Sequence, residues 1–227
     1  MDKTYVIIAA YNEGKNIIKT IDNIKSENYS NIIVVDDGSK DNTSNIVKAQ
    51  GIVVLKHIIN RGQGAALQTG MTYALREGAD YIIHFDADGQ HNAKEIKDIL
   101  APLKSKQCEI TLGSRFIKKQ KIPPFRKITL KGAILIIWLF YGLKLSDAHN
   151  GFRGFTKNAA KKIVISSDRM EHASEIIEKI KQNNIKYKEV PVTITYTKEH
   201  LKNGRKGQGK FDSIKILLKM ISKKIGI

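Results

Sequence analysis

The fold of this protein is decided by the segment Tyr81–His91, whose sequence is YIIHFDADGQH. A short apolar run rich in β-forming residues predicts a buried strand, and this one ends in two carboxylates, Asp86 and Asp88. Residues two apart in extended backbone point to the same side, so the two carboxylates repel each other. A hard divalent ion such as Mg²⁺ relieves that repulsion, and Gln90 can add a neutral oxygen ligand. The alternative is an ordinary turn, in which Asp and Gly89 are common residues.

Apolar segments like this one alternate along the chain with stretches of helical periodicity. The alternation predicts an α/β fold, with a mostly parallel sheet flanked by helices that binds ligands at the carboxyl ends of its strands. The predicted strands are residues 4–10, 31–36, 52–56, 81–86, 109–114 and 186–196, and the predicted helices begin at 12, after 64, at 93, near 125 and at 170.

Acidic side chains follow three of the predicted strands at the point where each strand ends. Glu13 follows the first strand, Asp36 and Asp37 end the second, and Asp86 with Asp88 end the fourth. This shared placement indicates one ligand site at the edge of the sheet. Arginines stand at later turns, and arginine pairs with phosphate in bidentate fashion, while a metal ion neutralises a diphosphate. The combination suits a nucleoside diphosphate substrate.

The chain as a whole has the size and composition of a globular protein with one large core. It has 227 residues, of which 41% are hydrophobic and 27% charged. Cys108 is the only cysteine, which excludes an internal disulfide and predicts a reducing compartment. The N-terminus shows no secretory signal pattern, and the longest apolar run, 132–143, is shorter than the roughly 20 residues that span a bilayer. We therefore expect a cytoplasmic protein.

The charge of the chain is strongly positive and is concentrated near the C-terminus. The net charge is +17, and residues 198–227 carry nine Lys and Arg against two acids, a net charge of +7. Such a charge favours nucleic acid, anionic lipid or a phosphorylated substrate as partner. Apolar residues at helical spacing from Phe211 to Ile225 predict a basic amphipathic helix. We expect a single domain over residues 1–196, followed by a basic loop and helix over 197–227.

Other enzyme classes lack the motifs that they require. The loop Arg61–Gly64 is similar to part of a dinucleotide fingerprint, but Leu67 occupies the position of the third glycine. A Walker-type phosphate loop is absent, and Cys108 has no supporting motif for nucleophilic catalysis. A basic nucleic-acid-binding module is the candidate from a different class. It lacks a recognition motif and leaves the acidic segments unexplained, so we expect no nucleic-acid partner.

Three segments resemble the family 2 glycosyltransferases, which have the GT-A fold. They are IIAAYNE at 7–13, VVDDGSKDNT at 34–43 and DADGQH at 86–91. Three further segments resemble the polyprenyl-phosphate hexosyltransferases of the dolichol-phosphate mannose synthase group. They are GSRF at 113–116, NGFRGF at 150–155 and EVPV at 189–192. The resemblance covers about residues 5–196 and ends before the basic tail.

The resemblance implies roles for individual residues. The donor nucleotide sugar would be bound by Ala10, Tyr11, Glu13, Asp37, Arg61 and Asp86. The cofactor, Mg²⁺ or Mn²⁺, would be held by Asp86, Asp88 and Gln90. Phosphates, including that of a lipid acceptor, would be bound by Arg115, Arg126 and Arg153, and the catalytic set would be Asp88, Arg115, Arg153 and Glu171. The family usually has a serine one helical turn after the position of Arg126, whereas this chain has Leu130 there, beside Thr129.

The resemblance also implies a single inverting displacement, in which metal and arginine stabilise the departing nucleoside diphosphate of a GDP- or UDP-hexose. With polyprenyl phosphate as acceptor, the nucleophile is already anionic and needs no strong general base. The alternative acceptor is a saccharide hydroxyl in surface-polysaccharide synthesis, which needs a carboxylate to take its proton. The candidates for that base are Glu171 or Glu175, and then Asp147.

A polyprenyl chain stays in the bilayer, so we expect a peripheral enzyme on the cytoplasmic face of the cell membrane. Residues 132–143, with Lys131 and Lys144 at their ends, and the basic C-terminal helix both suit a membrane interface. The alternative for 132–143 is a helix buried against the sheet. The sequence leaves the oligomeric state and the identity of the hexose open.

Overall fold

The computed structural model describes residues 2–118, 120, 122, 124–147 and 150–196, and for residues 124–126, 136 and 140 it describes the backbone alone. Two predictions therefore lie outside the described residues: the basic loop and amphipathic helix of 197–227, and the side chain of Arg126. The division of the chain at residue 196 stays a prediction.

Seven strands of the described chain form one sheet. They are β1 (Thr4–Ala10), β2 (Ile32–Asp36), β3 (Val53–Lys56), β4 (Tyr81–Asp86), β5 (Ile110–Ser114), β6 (Arg153–Thr156) and β7 (Tyr187–Pro191). Their order is β3-β2-β1-β4-β6-β5-β7. Neighbouring strands pair in parallel except at β6, which is antiparallel to β4 and to β5. The predicted α/β fold with a mostly parallel sheet is confirmed.

Helices cover both faces of this sheet. They are α1 (Ile17–Ser26), α2 (Thr43–Ala49), α3 (Gln63–Arg76), α4 (Ile96–Lys104), α5 (Pro124–Tyr141), α6 (Lys157–Lys162) and α7 (His172–Gln182). In β1, Ile7 packs in the core on one face, while Val6 and Ile8 pack in the core on the other, and all three are fully buried. Burial on both faces explains why the parallel strands are continuous apolar runs and not alternating ones.

The first helix begins later than its sequence predicts. The apolar spacing predicts a start at Asn12–Glu13, but α1 starts at Ile17. Asn12 has a left-handed φ of 56°, and its backbone N–H donates to Ser39 Oγ at 2.9 Å. The next amide, of Glu13, donates to Thr43 Oγ1 at 3.0 Å. Hydrogen bonds to the segment after β2 therefore hold residues 12–14 outside the helix.

The last predicted strand is also shorter than its sequence predicts. The β pattern covers residues 186–196, but β7 ends at Pro191. Beyond it, the N–H of Thr193 donates to Glu95 Oε2 at 2.8 Å and that of Ile194 donates to Gln120 Oε1 at 3.0 Å. Residues 192–196, here called the crossing segment, thus satisfy their amides mostly outside the β5–β7 ladder.

Candidate active site

The fold brings most of the predicted site residues to one edge of the sheet. The carboxyl ends of β1, β2, β4 and β5 lie on that edge, and so does the amino end of β6, because β6 is antiparallel and Arg153 pairs with His84 of β4. We call this the carboxyl edge. The part formed by β1, β2 and β4 is its acidic half, and the part formed by β5, β6 and β7 is its basic half.

Asp86, the last residue of β4, is held on both of its carboxylate oxygens. Oδ1 accepts a hydrogen bond from Gln63 Nε2 at 3.0 Å, and Oδ2 lies 2.8 Å from His91 Nε2. Gly151 approaches so closely that a Cβ there would lie 2.6 Å from each oxygen. Burial on its own raises the pKa of Asp86, but the electrostatic interaction and hydrogen bond with His91, followed by the charge of Arg153, lower it to about 2. Asp86 is therefore a carboxylate at neutral pH.

Asp88 and Gln90 lie on the turn that follows. Asp88 Oδ1 accepts from the backbone N–H of Gln90 at 3.0 Å, and Gly89 between them has a φ of 74°, which glycine adopts without strain. Both side chains are partly exposed. The carbonyl of Gln90 accepts from the N–H of Thr195, so the crossing segment fastens this turn from outside.

The two acids at the end of β2 are buried and serve as acceptors for the protein itself. Asp36 accepts from the N–H of Ser39 at 2.8 Å and from the hydroxyl of Ser44. Asp37 accepts from the backbone N–H groups of Arg61 at 3.0 Å and Gly62 at 2.6 Å, and its Oδ1 lies 2.7 Å from His57 Nδ1. Asp37 thereby shapes the loop between β3 and α3.

The other predicted donor residues surround these acids. Ala10 is buried, and its carbonyl accepts from the N–H of Asp37 at 2.8 Å. Tyr11 is 43% exposed at the end of β1. Glu13 is half-buried, and its Oε2 accepts from Asn16 Nδ2 at 3.0 Å. The guanidinium of Arg61 pairs with Asp168 at 3.0 Å on the surface. Tyr11 and Glu13 thus follow directly after Ala10, whose carbonyl is bonded to Asp37.

Arg115, in the basic half, is buried and paired. Its Nε donates to Asp147 Oδ2 at 2.6 Å, its backbone N–H donates to the same oxygen at 3.1 Å, and its Nη1 donates to the hydroxyl of Tyr196 at 3.2 Å. Burial lowers the pKa of Arg115, but the charge of Asp147 more than compensates and raises it above its usual value. Glu189 fixes the loop from behind by accepting from the N–H groups of Ser146 and Asp147.

Arg153 is buried at the boundary between the two halves. Burial lowers its pKa to about 10, although the carboxylates of Asp86 and Asp147 raise it. Arg153 Nη1 and Asn150 Nδ2 find no hydrogen-bond partner within the described part of the chain, and both residues line a cavity of about 10 Å³. Its strand neighbour His84 is fully buried, and burial followed by the charge of Arg153 lowers the pKa of His84 well below 6.5. His84 is therefore neutral.

The predicted base candidates lie in different surroundings. Glu171 immediately precedes α7 and is half-buried. Glu175 is buried and accepts from the N–H groups of Ser166 at 2.9 Å and Ser167 at 2.7 Å. Burial raises the pKa of Glu175, but its hydrogen bonds with Ser166, Ser167 and Lys179 lower it to about 2. A carboxylate of such low proton affinity is a weak base, which favours Glu171 over Glu175.

Sequence reasoning missed three contributors to this edge and the role of a fourth. Gln63 lies in the glycine loop, of which the sequence analysis assigns only Arg61 to the donor, and His57 and Tyr196 stand in no motif. Asp147 was considered as a base, whereas in the structure it is the ionic partner of Arg115. The only sequence signal for Gln63 is its position at the start of a helix that follows a strand.

The acidic half has the chemistry of a divalent-cation site that shares its ion with a substrate. Asp86 and Asp88 supply carboxylate oxygens and Gln90 an amide oxygen, the donors that Mg²⁺ and Mn²⁺ prefer. Within the described residues, no group of three His, Cys, Asp or Glu side chains is arranged to hold an ion alone. The residues present therefore fit an ion that takes further ligands from phosphates.

The comparisons with known proteins define the class. The sequence profile of glycosyl transferase family 2 matches residues 5–164, so the chain belongs to that family and is a glycosyltransferase. It is 35% identical over 223 residues to the UDP-N-acetylglucosamine–dolichyl-phosphate N-acetylglucosaminyltransferase of Methanococcus voltae, with 88% of each chain covered. It is 27% identical over 210 residues to the polyprenol monophosphomannose synthase of Mycolicibacterium smegmatis, covering 88% of this chain and 79% of that one.

A solved structure supports the fold. The glucosyl-3-phosphoglycerate synthase from Mycobacterium tuberculosis, in complex with Mn²⁺, uridine diphosphate and phosphoglyceric acid, aligns with a TM-score of 0.70. The alignment covers 96% of this chain and 78% of that one, at 16% identity. The predicted GT-A fold is therefore confirmed.

Proposed function

We propose that the protein transfers a hexose, with inversion, from a nucleotide sugar to polyprenyl phosphate, in a metal-dependent reaction at the cytoplasmic face of the membrane. One observation carries the proposal: carboxylates and two buried arginines lie on the same edge of the sheet, with Asp86 and Arg153 at the β4–β6 boundary and Arg115 directly after β5. A leaving diphosphate and an acceptor phosphate need these two kinds of environment side by side. The printed names of two relatives include lipid-phosphate acceptors, which supports this choice.

The donor would occupy the acidic half. Tyr11, half-exposed at the end of β1, offers its ring to the base, and Glu13 with the backbone at Ala10 lies beside it. Asp37 contributes through the loop that it orders, which carries Arg61. The relatives differ in their printed sugar, so the proposal names a GDP- or UDP-hexose and no single donor.

Asp86, Asp88 and Gln90 would hold Mg²⁺ or Mn²⁺ against the donor diphosphate. The bound ion supplies positive charge that stabilises the leaving group. Asp88, partly exposed, presents its carboxylate to the ligand, while Asp86 is held from both sides by protein donors. Lone pairs remain on both Asp86 oxygens, because each accepts only one of these hydrogen bonds.

The acceptor phosphate would be bound in the basic half. Arg115 Nη1 donates to the hydroxyl of Tyr196, and an anionic phosphate oxygen that replaced this hydroxyl would add charge–charge attraction to the hydrogen bond. Arg153 adds positive charge at the β4–β6 boundary, and Arg126 is the third proposed phosphate ligand. Because the phosphate is anionic, Glu171 would be needed as a base only for a hydroxyl acceptor.

Helix α5 supports contact with a membrane surface. Its inner positions Leu130, Ala133 and Ile137 are buried, so the prediction of an apolar helix packed on the core holds for one face. The side chains of Ile128, Leu135, Trp138 and Leu139 are exposed by 71, 53, 44 and 64%, with exposed Lys127, Lys131 and Lys144 nearby in sequence. Among the described residues, no helix is both long and apolar enough to cross a bilayer. An apolar stripe bordered by lysines is typical of a helix that lies on anionic lipid.

The proposal is tested by thermal-shift screening of GDP-, UDP- and dTDP-sugars, each with Mn²⁺, with Mg²⁺ and with EDTA, on the wild-type protein and on Asp88→Ala. We expect a metal-dependent shift for one nucleotide class, lost in Asp88→Ala, followed by sugar transfer to polyprenyl phosphate. A folded protein that shows no shift with any nucleotide, and binds arbitrary duplex DNA in a salt-sensitive way, would contradict the proposal. Sugar transfer to a saccharide hydroxyl that requires Glu171 would show that the acceptor is a saccharide and not polyprenyl phosphate.

A further inference from the structure

Asp86 is unusual among the acids of the carboxyl edge because it is enclosed on three sides while its side chain is still 29% exposed. Gln63 holds Oδ1, His91 holds Oδ2, and the backbone of Gly151 leaves no room for a side chain against the carboxylate. A rotation of this carboxylate breaks both hydrogen bonds. One orientation is therefore strongly favoured, and it leaves the exposed side open to a ligand.

His91 is itself fixed by its surroundings. Its side chain is 2% exposed, and the ring centroid lies 5.3 Å from that of Phe85 and 5.1 Å from that of Phe152. Its backbone forms an isolated antiparallel bridge with Ile194 of the crossing segment. The aromatic packing and the bridge together set the direction in which Nε2 points, since neither the ring nor the backbone can move alone.

Gln63 is fixed from the other side. It is the first residue of α3, directly after Gly62, whose N–H donates to Asp37. At Gly64 a Cβ would collide with the carbonyl of Ser167, so α3 starts in close contact with the segment before α7. Gln63 and His91 are not among the proposed metal ligands. Each binds the Asp86 carboxylate through its own side-chain nitrogen.

We propose that His91 and Gln63 are positioning residues that hold the Asp86 carboxylate in the orientation required for a divalent cation. The inference rests on the proposed function, because it assumes that Asp86 binds a metal. Mg²⁺ demands near-ideal octahedral geometry, so a ligand that is free to rotate binds it less well than a fixed one. Partners that orient metal ligands typically contribute 10–100-fold, in order of magnitude, to metal affinity.

The test compares His91→Phe, His91→Gln and Gln63→Leu. Phenylalanine keeps an aromatic ring between Phe85 and Phe152 but lacks the donor, whereas glutamine restores an N–H donor. Binding of Mn²⁺ is measured by electron paramagnetic resonance in the presence of UDP and, separately, of GDP, without any acceptor, so that turnover plays no part. We expect the Kd for Mn²⁺ to rise about 10- to 100-fold in His91→Phe and Gln63→Leu, and most of the affinity to return in His91→Gln.

Gln68→Leu is the matched control for a purely structural effect. Gln68 lies on the same helix, and its Oε1 accepts from the N–H of Ile165 at 2.6 Å, away from Asp86. We expect this variant to lower the unfolding temperature and leave the Kd for Mn²⁺ unchanged.

The inference is overturned if His91→Phe and Gln63→Leu bind Mn²⁺ as tightly as the wild type, or if Gln68→Leu weakens binding equally. A wild-type protein that binds Mn²⁺ with neither nucleotide would overturn the proposed metal dependence as well. The failure of the inference alone is therefore distinguishable from the failure of the proposed function.

Discussion

The two halves of the carboxyl edge handle their charges in opposite ways. In the acidic half, Asp36, Asp37 and Asp86 are held by backbone amides and by the side chains of serine, histidine and glutamine. In the basic half, Arg115 is held directly by a carboxylate, Asp147. The basic half is thus balanced internally by an ion pair, whereas the acidic half is ordered by hydrogen bonds and keeps its affinity for a cation. The difference shows that hydrogen bonds can hold the acidic side chains of an active site in place without cancelling their negative charge.

Removal of the ion pair between Arg115 and Asp147 in the basic half should have the largest effect on stability. Asp147→Ala leaves the buried guanidinium of Arg115 without its ionic partner, and we expect a loss of about 3–5 kcal/mol in the free energy of unfolding, measured with urea. The control is Asp168→Ala, which breaks the surface pair with Arg61, with an expected loss of at most about 1 kcal/mol. Equal losses in the two variants would show that the basic half does not depend on this ion pair.

Removal of the metal from the acidic half should lower the rate of transfer and leave the stability of the fold unchanged. With EDTA in place of Mn²⁺ we expect hexose transfer to fall at least about 100-fold, because the charge of the leaving diphosphate is no longer stabilised. The unfolding temperature without nucleotide should stay unchanged, since hydrogen bonds and not an ion order the acids. Transfer that continues at full rate in EDTA would contradict the metal dependence of the acidic half. A protein that unfolds in EDTA would show that the ion, and not hydrogen bonds, orders its acids.

Glu175, on α7, provides a test of how stability depends on pH. Its folded pKa of about 2 lies below its ordinary value of 4.5, so its contribution to stability is complete above about pH 5 and is lost as the pH falls from 4.5 toward 2. We expect Glu175→Gln to cost about 2 kcal/mol in the free energy of unfolding at pH 7, with the gap to the wild type narrowing below pH 4.5.

Glu178→Gln, on the same helix, is the control and should show a smaller loss in the free energy of unfolding at pH 7. Because the carboxylate of Glu175 caps the segment at Ser166 and Ser167, we expect the transfer rate per folded molecule to remain near that of the wild type. A transfer rate that falls in Glu171→Gln, and falls equally in Glu175→Gln, would instead place both residues in the reaction.

The smallest expected effect concerns Tyr196. Tyr196→Phe removes the hydroxyl that accepts from Arg115 Nη1 but leaves the pair with Asp147 intact. We expect the KM for polyprenyl phosphate to fall by about 3- to 10-fold, the equivalent of one hydrogen bond, because the phosphate no longer competes with this hydroxyl, with the KM for the nucleotide sugar unchanged. Tyr187→Phe in β7 is the control. An equal change in both KM values would show that the two halves are not separate binding regions.

Much of the fold follows from local pattern. Apolar runs alternating with helical periodicity predicted the α/β fold, and the acids of Asp36, Asp37, Asp86 and Asp88 were assigned to strand ends from sequence alone. The boundaries that differ most, at α1 and β7, are those where side chains far away in sequence, such as Ser39 and Glu95, accept backbone hydrogen bonds. The periodicity of a short segment contains no information about hydrogen bonds to residues far away in sequence.

The sequence by itself determined the class of the protein, its fold and most of the charged groups at the carboxyl edge, because motif and period are local properties of the chain. Only the tertiary structure decided which groups pair. It placed Asp147 on Arg115, His91 and Gln63 on Asp86, and the Asp37 carboxylate under the loop that carries Arg61. The physical reason is that hydrogen bonds and ion pairs depend on distances between residues far apart in sequence, and these distances exist only once the sheet has assembled.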